Sequence, residues 1–233
     1  MDKNLSRALS ESLSDEVSSL STDLFEVGLD AVMDDGILKE VPILATAVSL
    51  YKIGNSLKER HYLKKLASFI ASLNSGITNE KEREYYKSKV KDNPAVRDKE
   101  LEYILILIDR YIHFDKAKKL AKLYLDYLDE SIDWETFSKA SEVLDRLLPG
   151  DFQELKKCFW NDLDDSNVSD ALLRLVSLGL VISHNKGAHV ENTSGMLVFP
   201  DSTVKDYELT IFGQTFLWCL SEDYQNEAMR YTS

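Results

Sequence analysis

The chain reads as mostly α: an N-terminal multi-helix bundle followed by a smaller C-terminal α+β domain with a small β-hairpin. Three observations predict this. Apolar residues recur at three- and four-residue steps from Leu5 to Leu148, the spacing that keeps one face of a helix apolar. Two short strand-like runs, around Val181-Ile182 and Tyr207-Glu-Leu209, flank a polar excursion near the C-terminal end. Glycines punctuate that end at Gly179 and Gly213, where helix passes to strand and strand to helix. The boundary suggested by the pattern puts a helical bundle at 1–132, with 1–35 as an amphipathic N-terminal helix region, and the α+β domain at 133–233.

Across 233 residues, 44% apolar and 10% aromatic content is that of a globular protein with genuine cores. The net charge of −12 argues against nucleic-acid binding over much of the surface, because that binding needs Lys and Arg to displace phosphate counterions. Charge is unevenly spread. Residues 1–50 hold 3 basic and 10 acidic side chains, 51–100 hold 12 and 7, 101–150 hold 7 and 10, and 151–233 hold 6 and 13. The second quarter is the basic block, suited to opposite-charge docking with an end of the chain or a second subunit. Cys158 and Cys219 follow no Cys-x-x-Cys spacing, and no apolar signal region opens the chain, so a reduced cytoplasmic protein is expected.

In order, Leu5, Leu9, Leu13, Val17, Leu20 and Leu24 form one narrow stripe, predicting an N-terminal helix that lies on the chain's own helices or on a partner. Val41 to Tyr51 is apolar over about half the ~20 residues that span a bilayer. It reads as a buried helix opened by Pro42. The alternative is an amphipathic anchor within 36–65, with Lys52, Lys58, Arg60, Lys64 and Lys65 meeting anionic lipid as a peripheral membrane contact. Leu57, Leu63, Leu66, Phe69, Ile70 and Leu73 predict a helix stopped at Asn74-Ser-Gly76. A charged, solvated helix follows from Glu80 to about Lys91. Leu101 to Ile112, apolar nearly all round, is expected as the central buried helix. Asp115 opens the next, carrying Ala117, Leu120, Ala121, Leu123, Tyr124 and Leu128.

Asp133 to Leu148 is amphipathic and ends at Pro149-Gly150, after which Asp151 is expected to cap Phe152 to Asn161. With the helix from Ser166 these make three helices ahead of the strands. In a helix-turn-helix arrangement the third would enter the DNA major groove. Its exposed positions are expected to be Asn167, Asp170, Ala171, Arg174 and Ser177, with Leu172, Leu173, Leu175, Val176 and Leu178 inward. Asn167, Asp170 and Arg174, with Lys186 on the loop between strands, are the candidate partner-binding residues. One Arg against one Asp is poor equipment for holding phosphate, so the ligand expected here is a protein or a second copy of this chain.

No catalytic, cofactor or metal residue is assigned. No phosphate-binding Gly-x-x-x-x-Gly-Lys, Gly-x-Gly-x-x-Gly, His-Glu-x-x-His or Gly-x-Ser-x-Gly occurs. Asp162-x-Asp164-x-Ser166 and Asp129-x-Ser131-x-Asp133 imitate half a calcium loop, but each lacks the Gly and the terminal Glu, and they read as caps and turns. His184, His189 and Glu191 share a hairpin without a fourth ligand. His61 and His113 stand singly.

Three resemblances attach to these residues. The helix, Gly179, strand, loop, strand and helix order resembles a winged helix. The phrase Ser75-Gly-Ile-Thr-Asn-Glu-Lys-Glu-Arg83 after an apolar helix resembles tellurite-resistance-B-like helical domains, although Ser75 stands where those have an acidic residue, so no metal site is implied. Leu172, Leu175, Leu178-Gly-Leu-Val181, then Tyr207, Leu209-Thr210, Phe212-Gly213 and Phe216-Leu217 resemble the abortive-infection-alpha type of bacterial mobile-element protein. That likeness implies a role in phage defence. The expectation is therefore a non-enzymatic protein-interaction module. A winged-helix DNA-binding regulator is the alternative, and a membrane-active effector using residues 36–53 a second.

Overall fold

The computed structural model describes residues 4–13, 41–51, 56–160, 169–185, 192–193, 196–197 and 205–221. Among them the chain is mostly helical, with a small antiparallel sheet near the C-terminal end. It divides into two compact units, Met1–Asp145 and Arg146–Ser233. Trp134–Arg146, placed with the second domain on sequence, is almost wholly in the first unit. Trp134 and Phe137 stack there in an aromatic cluster with Tyr103, Tyr124 and Tyr127, at centroid separations of 5.0 to 5.9 Å.

The first unit holds α1 (Leu5–Ser12), α2 (Pro42–Tyr51), α3 (Leu57–Ser75), α4 (Glu80–Lys91), α5 (Pro94–Arg110), α6 (Phe114–Leu128) and α7 (Trp134–Arg146). Its centre is α3, not the stretch from Leu101 that looked most apolar. Every residue of α3 from Lys65 to Asn74 is buried, whereas Ile106 of α5 is 49% exposed. The serines of α3 are tolerated inside because they bond to backbone: Ser68 Oγ donates to Lys64 O and Ser72 Oγ to Lys118 O. Buried Lys65 donates to the carbonyls of Asp109 (2.8 Å) and Tyr111 (2.5 Å), so its charge closes the C-terminal end of α5.

Caps explain the helix starts. Ser56 and Glu59 form a reciprocal capping box on α3. Asn79 accepts from Glu82 N on α4, Pro94 opens α5, and Asp133 accepts from Thr136 N on α7. Gly76 ends α3 in right-handed conformation. A Cβ there would lie 2.5 Å from Leu125 Cδ1, the tip of a side chain that would have to turn aside.

The described part of the N-terminal helix packs in cis. Leu5, Leu9 and Leu13 are buried, and Asp98 accepts from both Ser6 N and Ser6 Oγ. The end of α1 is closed by side chains from other helices: Asn74 Nδ2 donates to Ser12 O and Arg83 Nη1 to Leu13 O. Arg83 is buried, as are Tyr86 and Val90, so α4 is less solvated than its charge pattern suggests. Ser12 Oγ accepts from Ile43 N at 3.0 Å, which joins the end of α1 to the start of α2. Val17, Leu20 and Leu24 lie outside the described residues.

The second unit holds α8 (Asp151–Trp160), α9 (Asp170–Ser177), β1 (Val181–Asn185), β2 (Asn192–Thr193), β3 (Met196–Leu197), β4 (Lys205–Leu209) and α10 (Ile211–Leu220). β1 pairs antiparallel with β4 in the register Val181 to Leu209 and Asn185 to Lys205, and β2 pairs with β3. Two glycines position these parts. Gly179, at φ +72°, ends α9 with its N–H on Val176 O while Leu180 N reaches Leu175 O, a Schellman arrangement that needs the left-handed conformation. Gly213 lies against the backbone of Leu180, and an added Cβ would be 2.0 Å from Leu180 O. Thr210 completes the corner. It accepts from Gly213 N to start α10, donates through Oγ1 to Gly179 O, and donates through N to Leu180 O.

Candidate functional site

Of the four candidate partner-binding residues, Asn167 and Lys186 lie outside the described residues. The other two are on α9, which Ser169 starts by accepting from Leu172 N while donating to Glu154 Oε1 of α8. Asp170 is the first residue of that helix and is exposed.

Arg174 is committed elsewhere. Its Nε and Nη2 donate to Asp151 Oδ2 (2.9 Å) and Oδ1 (2.7 Å), a two-pronged pairing with a carboxylate that is itself buried. That hydrogen-bonded pairing holds the Arg174 guanidinium above its ordinary pKa. Asp151 does not cap α8 in the expected way. It turns back, accepting from Leu148 N at 2.7 Å, and fastens α9 to the start of α8. A buried carboxylate needs such a partner. Arg174, expected outward, is therefore only partly exposed, and its charge is matched.

The outward face of α9 is set by Asp170, Leu173 and Ser177, all exposed and at the i, i+3, i+7 spacing of one face. Leu173, expected inward, is 54% exposed; Leu172 and Leu175 form the buried side, with Ala171, Val176 and Leu178 intermediate. A helical wheel seeded on Asp170 would have placed Leu173 outward. The apolar richness of Ala-Leu-Leu-Arg-Leu-Val masked it. Ile182 on β1 (46%) and Ile211 at the start of α10 (85%) are further exposed apolar side chains of this unit. Ile182 stands opposite Glu208, and His184 opposite Asp206, with His184 Nε2 3.9 Å from Glu208 Oε2. The described outer surface of the hairpin thus mixes apolar and acidic groups.

The histidine-based metal possibility falls mostly outside the described residues, since His189 and Glu191 are not among them. Within them no three His, Cys, Asp or Glu side chains are grouped to hold a metal. The Asp129–Asp133 turn is occupied by structure: Asp129 accepts from Tyr86 Oη at 2.7 Å, Glu130 takes φ 62° and pairs with Lys89, and Asp133 caps α7. His61 Nε2 lies 2.9 Å from Ile112 O with its ring on Phe114, and His113 precedes α6. Both cysteines are buried thiols outside any disulfide.

The basic cluster proposed for lipid is divided. Lys52 is not described, Lys65 is buried, and Lys58 pairs with Asp109 at 3.6 Å. Val41, Ile43, Leu44 and Ala47 of the α2 segment are buried within the first unit. No described helix is long and apolar enough to cross a membrane. A cleft of about 280 Å³ between α3 and α5 includes Lys58, Tyr62, Leu105, Asp109 and Arg110, where Lys58 meets Asp109 and Arg110 meets Asp145. Its cations are matched within the fold.

No family model, curated protein or solved structure matches this chain.

Proposed function

We propose that the protein is a non-enzymatic interaction module whose C-terminal unit, read as winged-helix-like, binds a protein partner or a second copy of the chain through the outer face of α9 and the neighbouring hairpin. One observation carries this reading. The cation of α9 that would contact phosphate, Arg174, is paired with buried Asp151, while Leu173 and Asp170 face outward. An exposed leucine beside a carboxylate suits a protein surface and repels a polyanion. Phage defence, implied by the abortive-infection-alpha resemblance, is the context attached to this proposal.

The DNA-binding reading makes the opposite demand and separates cleanly. With the intact chain and random duplex at low salt, the expected result is no shifted complex, together with self-association or partner binding that Leu173→Glu weakens. A complex whose affinity falls steeply with salt would overturn the proposal, because it would require free cations at the surface.

A further inference from the structure

We propose that the groove lined by α2, α4 and α5 in the first unit is a helix-binding site, with α1 as its resident ligand and the same helix of a second copy of the chain as its ligand in trans. The inference is independent of the function proposed for the C-terminal unit.

α1 has the character of a bound peptide. It is eight residues long, and isolated helices shorter than about 12 residues are marginal in water. Its shape therefore depends on what surrounds it. α2, α4 and α5 all pack against it. Leu5, Leu9 and Leu13 recur at four-residue steps and are buried, as is Ala8, whereas Arg7 and Glu11 pair on the open side at 2.8 Å. That is the anchor pattern of an amphipathic helix laid in a groove. The covalent connection does not impose this docking. Residues 14–40 stand between Leu13 and Val41, a length of chain that extends to at most roughly 90 Å.

The groove also reads both ends of the helix. Asn4, at the N-cap position, makes no side-chain cap bond, and α1 has no acidic residue in its first turn and no basic residue in its last. Other helices bring those charges. Asp98 of α5 accepts from Ser6 N (3.0 Å) and Ser6 Oγ (2.6 Å), which sets a carboxylate at the positive end of the helix dipole. Arg83 of α4 donates to Leu13 O at 3.1 Å, which sets a cation at the negative end. Beside it, Asn74 of α3 donates to Ser12 O at 3.2 Å. Helix ends leave backbone groups unsatisfied, and residues next to the helix in sequence ordinarily cap them. Here the receptor supplies the caps. Between Asp98 and Arg83 the site spans eight residues of helix, about 12 Å at 1.5 Å per residue. It selects its ligand by leucine spacing, by length and by uncapped ends, and α1 carries all three whichever copy of the chain it comes from.

The test uses the intact chain with Leu9→Asp, which puts a charge on a fully buried anchor and so releases α1, together with a fluorescent peptide of residues 1–14. Circular dichroism should show near-parental helix content for this variant. Anisotropy should report saturable binding of the peptide to it, about tenfold or more tighter than to the parent chain, whose tethered α1 competes at millimolar effective concentration. A variant that unfolds, or a folded one that binds no peptide, would overturn the proposal by making α1 an inseparable part of the core. Equal binding to parent and variant would overturn it as well, because it would place the peptide outside the groove. A peptide with Ser6→Pro keeps its leucines and is tolerated in the first helical turn, but it has no donor for Asp98. Its affinity for the variant should fall about tenfold, and an unchanged affinity would refute a groove that caps its ligand.

Discussion

Replacing Gly213 with alanine sets two physical effects against each other. Gly213 is the third residue of α10, where Gly→Ala ordinarily gains up to about 1 kcal/mol of helix propensity. Its backbone, however, lies against Leu180. The new Cβ would sit 2.0 Å from Leu180 O and 2.9 Å from Leu180 C, whereas side-chain carbons do not approach closer than about 3.0 Å. Opening that gap by about 1 Å lengthens the Thr210 N to Leu180 O bond from 3.0 Å beyond hydrogen-bonding distance and disturbs the Thr210 Oγ1 bonds to Gly179 O and Leu180 O. Two lost bonds at about 1 kcal/mol each, with about 1–3 kcal/mol of overpacking, outweigh the propensity gain and leave a net loss of about 2–4 kcal/mol. Two other glycines calibrate the result. Gly179 has open space but φ +72°, so alanine there should cost about 1–2 kcal/mol from the left-handed conformation alone. Gly150 has open space and no such φ, and alanine should change stability by under about 0.5 kcal/mol. Urea unfolding followed by far-ultraviolet circular dichroism and by tryptophan emission reads all three. A Gly213→Ala midpoint equal to or above that of the parent would refute the close approach.

Three further outcomes follow from the packing. Lys65→Met keeps the aliphatic stem but removes the donors to Asp109 O and Tyr111 O, and should cost about 1.5–3 kcal/mol in urea unfolding; an unchanged midpoint would remove the capping role. Arg174→Met leaves the buried Asp151 carboxylate its Leu148 N–H donor but removes its paired cation, so it should lower the melting temperature more than Arg174→Met combined with Asp151→Asn, and the reverse order would contradict the pairing. At alkaline pH, burial pushes the Cys158 thiol up to about 11 from 9.0 and raises the Tyr86, Tyr111 and Tyr124 phenols above 10.0, with Asp129 adding to the effect on Tyr86. Groups raised on folding contribute stability that is complete below their unfolded values and is lost as pH rises through the folded ones. Burial lowers the Lys65 pKa, which acts in the opposite sense just below 10.5, but it is one group against four. The urea midpoint should hold from neutral pH to about 9 and then fall, and a midpoint that rises above pH 10 would contradict these burials.

Helix positions were legible because capping and periodicity are local. Asn93-Pro94 sits within a turn of the helix it starts, and so do Ser56 with Glu59, Asp133 and Ser169, although apolar spacing, and not the caps at Ser56 and Ser169, carried the expectation of those helices. Gly179 was legible for the same reason: a helix end in left-handed conformation favours that residue wherever the helix packs. The candidate site was half legible. Asp170 is outward as read, but Leu173 and Arg174 exchanged roles, since the partner that draws Arg174 inward, Asp151, is 23 residues away. Arg83 and Lys65 were misread likewise, as solvated charges, because the carbonyls they close belong to Leu13, Asp109 and Tyr111.

By itself the sequence determined the helical class, the helix end at Gly179, and the separation of an acidic N-terminal stretch from a basic second quarter, while the second break it placed at Gly213 lies three residues earlier, at the Thr210 cap of α10. These depend on periodicity, capping chemistry and counted charge, which neighbouring residues settle among themselves. The tertiary structure alone decided that α3 is the central helix, that Gly213 must lie against Leu180, and that buried Asp151 takes the charge of Arg174. Burial and pairing depend on what arrives from distant parts of the chain. A buried charge costs too much to leave unmatched, so the fold supplies its partner from wherever packing brings one.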